Sequence, residues 1–189
     1  MRAYRTMLCV TVVFACQIVT HASSFVVFPK AGQLASPNGR FVVRSTDREA
    51  PFSELAGTFH FLFLDDTASG RSRKLCDYSG VVAVAWAEND LIIVTQYSKR
   101  TSRTLVLTTD SSIDPVVIDK PLLTHIAPDN LRSQLQGNDH VFVEASRVEG
   151  KTLMLRVWGY GKRDATGFSW RCEYNLLEGG IACTETKRP

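Results

Sequence analysis

Between Val81 and Val94 the chain reads VVAVAWAENDLIIV, two apolar runs joined at Glu88-Asn89-Asp90, with Trp86 near the join. Apolar runs of this length, rich in β-branched side chains and broken by Asn-Asp, suit buried strands better than a helix. Similar stretches lie on either side, SPNGRFVV at Ser36–Val43 and GNDHVFVEA at Gly137–Ala145. The stretch therefore predicts a β-rich chain organised around a central pair, Val81–Trp86 and Leu91–Tyr97. With 44% hydrophobic and 22% charged residues in 189, one domain with a real core is expected over residues 25–189.

Strands are expected on either side of that pair. Phe25–Phe28 is stopped by Pro29, and Lys30–Ala35 is read as a link. The turn Ser36-Pro37-Asn38-Gly39 feeds Phe41–Ser45, since Pro presets φ while Asn and Gly accept positive φ. Thr46–Gly57 is a polar loop that Phe52 and Leu55 could pin. Thr58–Leu64 follows, and the more polar Arg71–Cys76 suits an edge. Arg103–Thr108 comes next, then a short strand over Ile113–Asp119, confined to an edge because Pro115 cannot donate to a ladder. Pro128–Gln136 is the one helix expected, with Pro at its start and Gly137 at its end. Val141–Arg147 with Thr152–Tyr160, and Phe168–Leu176 with Ile181–Thr186, form two hairpins.

The strands recur. Asn38, Asn89 and Asn138 each precede an apolar strand at intervals of about 50 residues, the range of multi-stranded propeller blades. SPNGRFVV, then FLFLDDTASGRSRKL and VVAVAWAENDLIIV, resembles the β-propeller repeats of the TolB and WD40-like class. Ser36, Pro37, Asn38 and Gly39 occupy that class's Ser-Pro-Asp-Gly turn, with Asn in place of Asp. Asp65, Thr67 and Gly70 match its second turn, and the resemblance extends over Ser36–Leu107. It implies blade architecture and is silent on ligand. About three units fit, whereas closed propellers generally take four or more. The expected fold is thus all-β and antiparallel, with propeller-like blades or a β-sandwich of about three repeated units and one short helix. An open curved sheet and a ring completed by assembly are further forms of the same architecture.

The N-terminus reads as a targeting segment. Arg2 and Arg5 precede an apolar core of about 13 residues, Met7–Val19, shorter than the roughly 20 a spanning helix needs. Small residues follow at Ala22 and Ser24, so residues 1–22 are expected to be a secretory signal peptide. Val13-Phe14-Ala15-Cys16 also loosely matches a lipobox, which would anchor the protein to a membrane through a lipidated Cys16. Removing Arg2 and Arg5 takes the formal charge from +3 to +1, giving no basis for a nucleic-acid partner. Export to a periplasmic or extracellular space makes a disulfide favourable. A hairpin centred between Leu177 and Glu178 sets Cys172 opposite Cys183, so these two are expected to pair. Cys76 is left as a small buried side chain rather than a nucleophile.

Catalytic and metal signatures are weak. His60 and His140 lack companions at metal-ligand spacing, and there is no G-x-S-x-G elbow. His125, Asp129 and Ser133 form a triple of ordinary chance composition. Asp65-Asp66 suits a solvated turn, and Gly159-Tyr160-Gly161-Lys162 lacks the P-loop spacing. The basic turns at Arg71-Arg73-Lys74 and Lys99-Arg100-Arg103 suit solvated edges. No cofactor is called for. The aromatics Tyr160, Trp170 and Tyr174 are the candidate binding surface, with one or two of them expected to be exposed and Trp86 and Trp158 expected in the core. The function expected is an exported, non-enzymatic interaction module binding a protein or glycan, with self-association open to it. An extracytoplasmic hydrolase with an unrecognised site and a structural envelope lipoprotein are the alternatives.

Overall fold

A computed structural model describes residues 24–47, 59–124 and 127–186. The signal segment with Cys16, the pinning residues Phe52 and Leu55, and His125 lie outside the described residues. The central run forms β6 (Val82–Trp86) and β7 (Leu91–Tyr97), paired antiparallel across the Glu88–Asp90 turn, with β8 (Thr101–Thr108) beyond them. Every residue of β6 is buried, which is why the sequence here shows no polar alternation. It alternates in size instead. Val82, Val84 and Trp86 face one way, and Ala83 and Ala85 face the other.

The large side chains meet a four-stranded antiparallel sheet of β2 (Gln33–Ala35), β3 (Phe41–Asp47), β4 (Phe59–Asp66) and β5 (Arg71–Ser79). Val43, Leu62, Leu64 and Tyr78 from that sheet, with Phe28 from β1 (Val26–Phe28), close a core against Val82, Val84, Trp86, Ile92, Val94, Leu105 and Leu107. Fully burying each such aliphatic side chain contributes about 1.5–3 kcal/mol. Gln33–Ala35, expected as a link, is thus a strand, and β5 holds the edge position expected of it.

The other face of the central unit looks onto the C-terminal strands. These are β10 (His140–Glu149), β11 (Thr152–Tyr160), β12 (Phe168–Asn175) and β13 (Ile181–Glu185), a continuous antiparallel meander. Ile93 and Val106 pack against its inward side chains, including Val143, Leu155, Val157 and Trp170. Two helices fill the gap rather than the single one expected, the one-turn α1 (Asp119–Leu122) and α2 (Asp129–Gly137). Leu122 and Leu131 enter the same core. The short β9 (Val116–Val117) pairs only with β8, at an edge, as Pro115 requires.

The described chain is therefore all-β with two short helices and has two sheets: β1, β6–β8 and β10–β13 form one continuous sheet with β9 on β8, and β2–β5 form the other. Its pairing is antiparallel except where β10 meets β8 in parallel at Val141–Thr101 and Phe142–Ser102. Beyond those two pairs a buried hydroxyl relay takes over from the ladder. The Ala145 amide donates to Thr95 Oγ1 at 3.3 Å, the two threonine hydroxyls are 2.9 Å apart, and Thr104 Oγ1 donates to the Val143 carbonyl at 2.9 Å. Both threonines are fully buried, and the relay satisfies strand groups that would otherwise be orphaned.

Of the three asparagines spaced about 50 residues apart, two sit in hairpin turns and the third does not. Asn38 and Asn89 both sit in the hairpin leading into the second strand of a unit, β2–β3 and β6–β7. Asn138 instead follows α2, its Nδ2 donating to the Gln134 carbonyl at 2.8 Å. The Ser36–Gly39 motif is a structural turn. Ser36 Oγ donates to Asn38 Oδ1 and accepts from the Phe41 amide, and Gly39 has φ +70°. Thr67 Oγ1 ties the second turn back to it through the Arg40 carbonyl.

Candidate functional site

Strand parity decides what the C-terminal sheet shows to solvent. In β12, Phe168, Trp170, Cys172 and Tyr174 alternate with Ser169, Arg171 and Glu173, and the first set is buried. Trp170 and Tyr174 are only 5% and 4% exposed, which corrects their assignment to the binding surface. They share the parity of Cys172, which faces the core, and Trp170 Nε1 donates to Gln134 Oε1 of α2 at 2.7 Å. Tyr160 is 43% exposed, as expected of a surface residue.

What joins Tyr160 is a set the sequence reading places elsewhere. The register puts His140 opposite Tyr160 and Phe142 opposite Trp158. His140 and Tyr160 stack with centroids 4.4 Å apart and planes at 7°, and Phe142 and Trp158 at 4.1 Å and 14°. Trp158 is half-buried rather than core, and its Nε1 donates to Glu144 Oε2 at 3.0 Å. The signal was present in TLMLRVWGY, because Arg156, Trp158 and Tyr160 share one parity and an arginine seldom faces a core. Gly159 lets the pairs close. A Cβ there would stand 2.4 Å from the His140 carbonyl oxygen.

The next row is charged. Arg156 lies directly opposite Arg171 on the same face, an arrangement that destabilises a sheet when nothing lies between. The Arg156 guanidinium sits 5.5 Å from the Trp158 ring centre. Arg147 is paired with Glu149 at 2.8 Å, whereas Arg171 makes no ion pair among the described residues. A groove of about 570 Å³ runs here, lined by Ser146, Arg147, Met154, Arg156, Ser169 and Arg171. Ser146 reaches it from a β-bulge in β10, where the register shifts between Ala145 and Arg147.

The disulfide forms as the hairpin geometry predicts. Cys172 and Cys183 are cross-strand partners with Cα atoms 4.1 Å apart. Cys76 is a free thiol that burial pushes up to about 11, the reverse of an activated nucleophile. No described helix is long and apolar enough to cross a membrane.

Other candidates resolve into structural roles. His60 is buried, with Nδ1 2.7 Å from Asp47 Oδ1 and its ring stacked on Tyr78. Ser45 hydrogen-bonds to the Tyr78 hydroxyl at 2.5 Å. Asp66 is drawn down to about 2 chiefly by its hydrogen bond from Arg40. Burial pulls Asp65 upward, but hydrogen bonds involving Arg44 and Ser72 outweigh it. Asp66 thus anchors the turn through the Ala68 amide, whereas Asp65 ties β4 across to Arg44 of β3. Arg73 donates to the Thr108 carbonyl and Lys74 pairs with Asp77, so these cations are committed to the fold. Among the described residues no group of three or more His, Cys, Asp or Glu side chains converges as a metal site. Comparison with protein-family models, curated proteins and solved structures finds no match to this chain.

Proposed function

We propose that this protein is an exported, non-enzymatic recognition module of propeller-like build that takes a partner protein on the outer face of its C-terminal sheet. The observation that carries this is Arg156 opposite Arg171 beside two stacked aromatic pairs. Aromatic and arginine side chains on a rigid sheet make up the usual composition of binding hot spots. Two arginines at opposed positions on one face are relieved when carboxylates enter between them, each able to take a bidentate pair of hydrogen bonds. The partner accordingly presents an acidic segment to the groove and an apolar one to Phe142, Trp158 and Tyr160.

The Cys172–Cys183 bond fits an oxidising periplasmic or extracellular space. The successive antiparallel meanders and the Ser36–Gly39 turn support the resemblance to TolB and WD40-like blades. A second reading, glycan binding, is favoured by the exposure of Tyr160, whose phenol ring suits stacking on a sugar.

A photo-crosslinking residue at Tyr160, with one at the exposed Leu177 as control, tests the proposal in envelope or extracellular extract. The expected result is a discrete protein adduct from position 160 that is lost when Arg156→Glu and Arg171→Glu are added. Equal labelling from both positions, or adducts indifferent to the charge reversal, would overturn it. An adduct at twice the chain mass assigns the face to a second copy. Glycan-only adducts replace the protein reading with the second one.

A further inference from the structure

The groove on the outer face is more basic than the fold requires. Of the arginines that line it, Arg147 is held by Glu149. Arg156 meets the Trp158 ring, and neither it nor Arg171 gives a hydrogen bond or ion pair to any described residue. Arginines elsewhere are committed, Arg44 to Asp65, Arg132 to Asp129 and Arg73 to the Thr108 carbonyl. Arg156 and Arg171 are both exposed, so their donors are open to a ligand from solvent.

The ladder brings these two together. The Leu176 amide donates to the Lys151 carbonyl at 2.9 Å, and hydrogen-bonded and non-hydrogen-bonded pairs alternate along antiparallel strands. Arg156 and Arg171 stand an odd number of steps along the same register, so theirs is a non-hydrogen-bonded pair. In such a pair the Cα atoms lie about 4.5 Å apart and the side chains are at their closest. Met154 shares their face and belongs to neither core, yet it is only 7% exposed, and it gives the groove an apolar floor. A hydroxyl stands beside the arginines. Thr186 Oγ1 donates to Ser169 Oγ at 3.1 Å, which leaves the Ser169 proton to donate, and no described residue accepts it. Two carboxylates share the face but do not line the groove. Glu144 lies opposite Arg156 with Oε2 accepting from the Trp158 indole, and Glu173 lies opposite Met154.

We propose that this groove binds a phosphoryl group as its dianion, with Arg156 and Arg171 holding its oxygens and Ser169 Oγ donating a further hydrogen bond. Because this rests on the partner-protein reading of the face, the anion is a phosphorylated side chain of the partner's acidic segment. Charge decides between anions. A single carboxylate leaves one arginine unmatched, whereas a phosphate monoester carries about −1.5 to −2 at neutral pH. Its three terminal oxygens take a bidentate pair from one guanidinium and still serve the second arginine and the hydroxyl. A cation would meet two positive charges, and a neutral ligand would leave their repulsion in place.

Titration of the purified protein with N-acetyl-O-phosphoserine methylamide, N-acetyl-glutamate methylamide and inorganic phosphate tests this, read by calorimetry and by the Nε–H NMR signals of Arg156 and Arg171. Vesicles of phosphatidic acid in phosphatidylcholine separate a lipid source from a side chain. Saturable binding of the phosphoserine derivative is expected, with both arginine signals shifted and the glutamate derivative about tenfold or more weaker. Arg156→Gln and Arg171→Gln each remove a like charge from beside the other arginine, so the fold is retained. Each should lower phosphoserine affinity about tenfold or more, and Ser169→Ala by a smaller factor. Arg71→Gln, at an exposed position on the other sheet, should leave it unchanged. Inorganic phosphate shifting the same two signals supports the site further. Equal affinity for the glutamate derivative, an equal loss in Arg71→Gln, normal binding by either groove variant, or vesicle binding that the phosphoserine derivative fails to displace would overturn it. Phosphoserine binding without a position-160 adduct removes the partner protein and keeps the phosphoryl site, whereas an adduct without phosphoserine binding keeps the partner and overturns the phosphoryl site.

Discussion

Thr95 and Thr104 carry more of the architecture than their size suggests. Each is fully buried in an otherwise aliphatic region, and together they join the Ala145 amide to the Val143 carbonyl. Since Thr104 donates to that carbonyl, it must accept from Thr95, which in turn accepts from Ala145. The relay has one direction and no spare donor. Thr104→Val keeps the shape and breaks the relay at two points, and is expected to destabilise the protein by about 1–3 kcal/mol in urea denaturation. Thr95→Val should cost a similar amount. The double variant should cost less than the sum, because the second substitution removes a hydroxyl whose partner is already gone. Strict additivity would mean that the two hydroxyls act separately and that β10 is held by packing alone. Nothing in the sequence distinguishes these threonines from those of any solvent-facing strand, because the relay exists only once β10 crosses behind β7 and β8.

At the scale of single elements, the β12–β13 hairpin was the most legible and also the source of the main error. Asn175 organises its turn, its Oδ1 accepting from the Leu177 and Glu178 amides, while Gly179 takes φ +72°. The register that results pairs Cys172 with Cys183. The loop they close is short, and by chain entropy the bond is worth about 2–4 kcal/mol. Cys172→Ala with Cys183→Ala should therefore lower stability by that amount under nonreducing conditions, and dithiothreitol should lower the parent protein to the same level. A reductant effect on the double variant would show that some other thiol chemistry is involved. The same register assigns Trp170 and Tyr174 to the core face of Cys172, so the cysteine pairing and an exposed Trp170 were incompatible expectations. The aromatic pairs were harder to read. Stacking of Phe142 on Trp158 needs the β10–β11 register, and that register depends on a bulge at Ser146 with no distinctive local sequence. The arginine pair likewise joins residues on separate strands.

For the molecule as a whole, the central run is the element on which the two hydrophobic cores meet, one on each of its faces. The size alternation of β6 lets the N-terminal sheet meet Val82, Val84 and Trp86 while the C-terminal layer approaches over Ala83 and Ala85. Ala85 is fully buried and pairs with Ile93, which belongs to the core on that second side. Extra methylenes there have no free space to occupy, and packed interiors accommodate them only by moving neighbouring layers. Ala85→Leu is accordingly expected to cost about 1–3 kcal/mol in urea denaturation. Val27→Leu, at a 42% exposed position across the ladder from Ala83, should stay within about 0.5 kcal/mol of the parent. If the layers are fitted as described, the Ala85→Leu protein should also lose protection of the β10 amides near Val143 in hydrogen exchange before those of β3 near Val43, since the added bulk presses on one side only. Equal loss on both sides would mean that β6 is not the divider between two cores, and a stable Ala85→Leu protein would mean that the C-terminal layer does not close on the central unit as tightly as the buried alanines require.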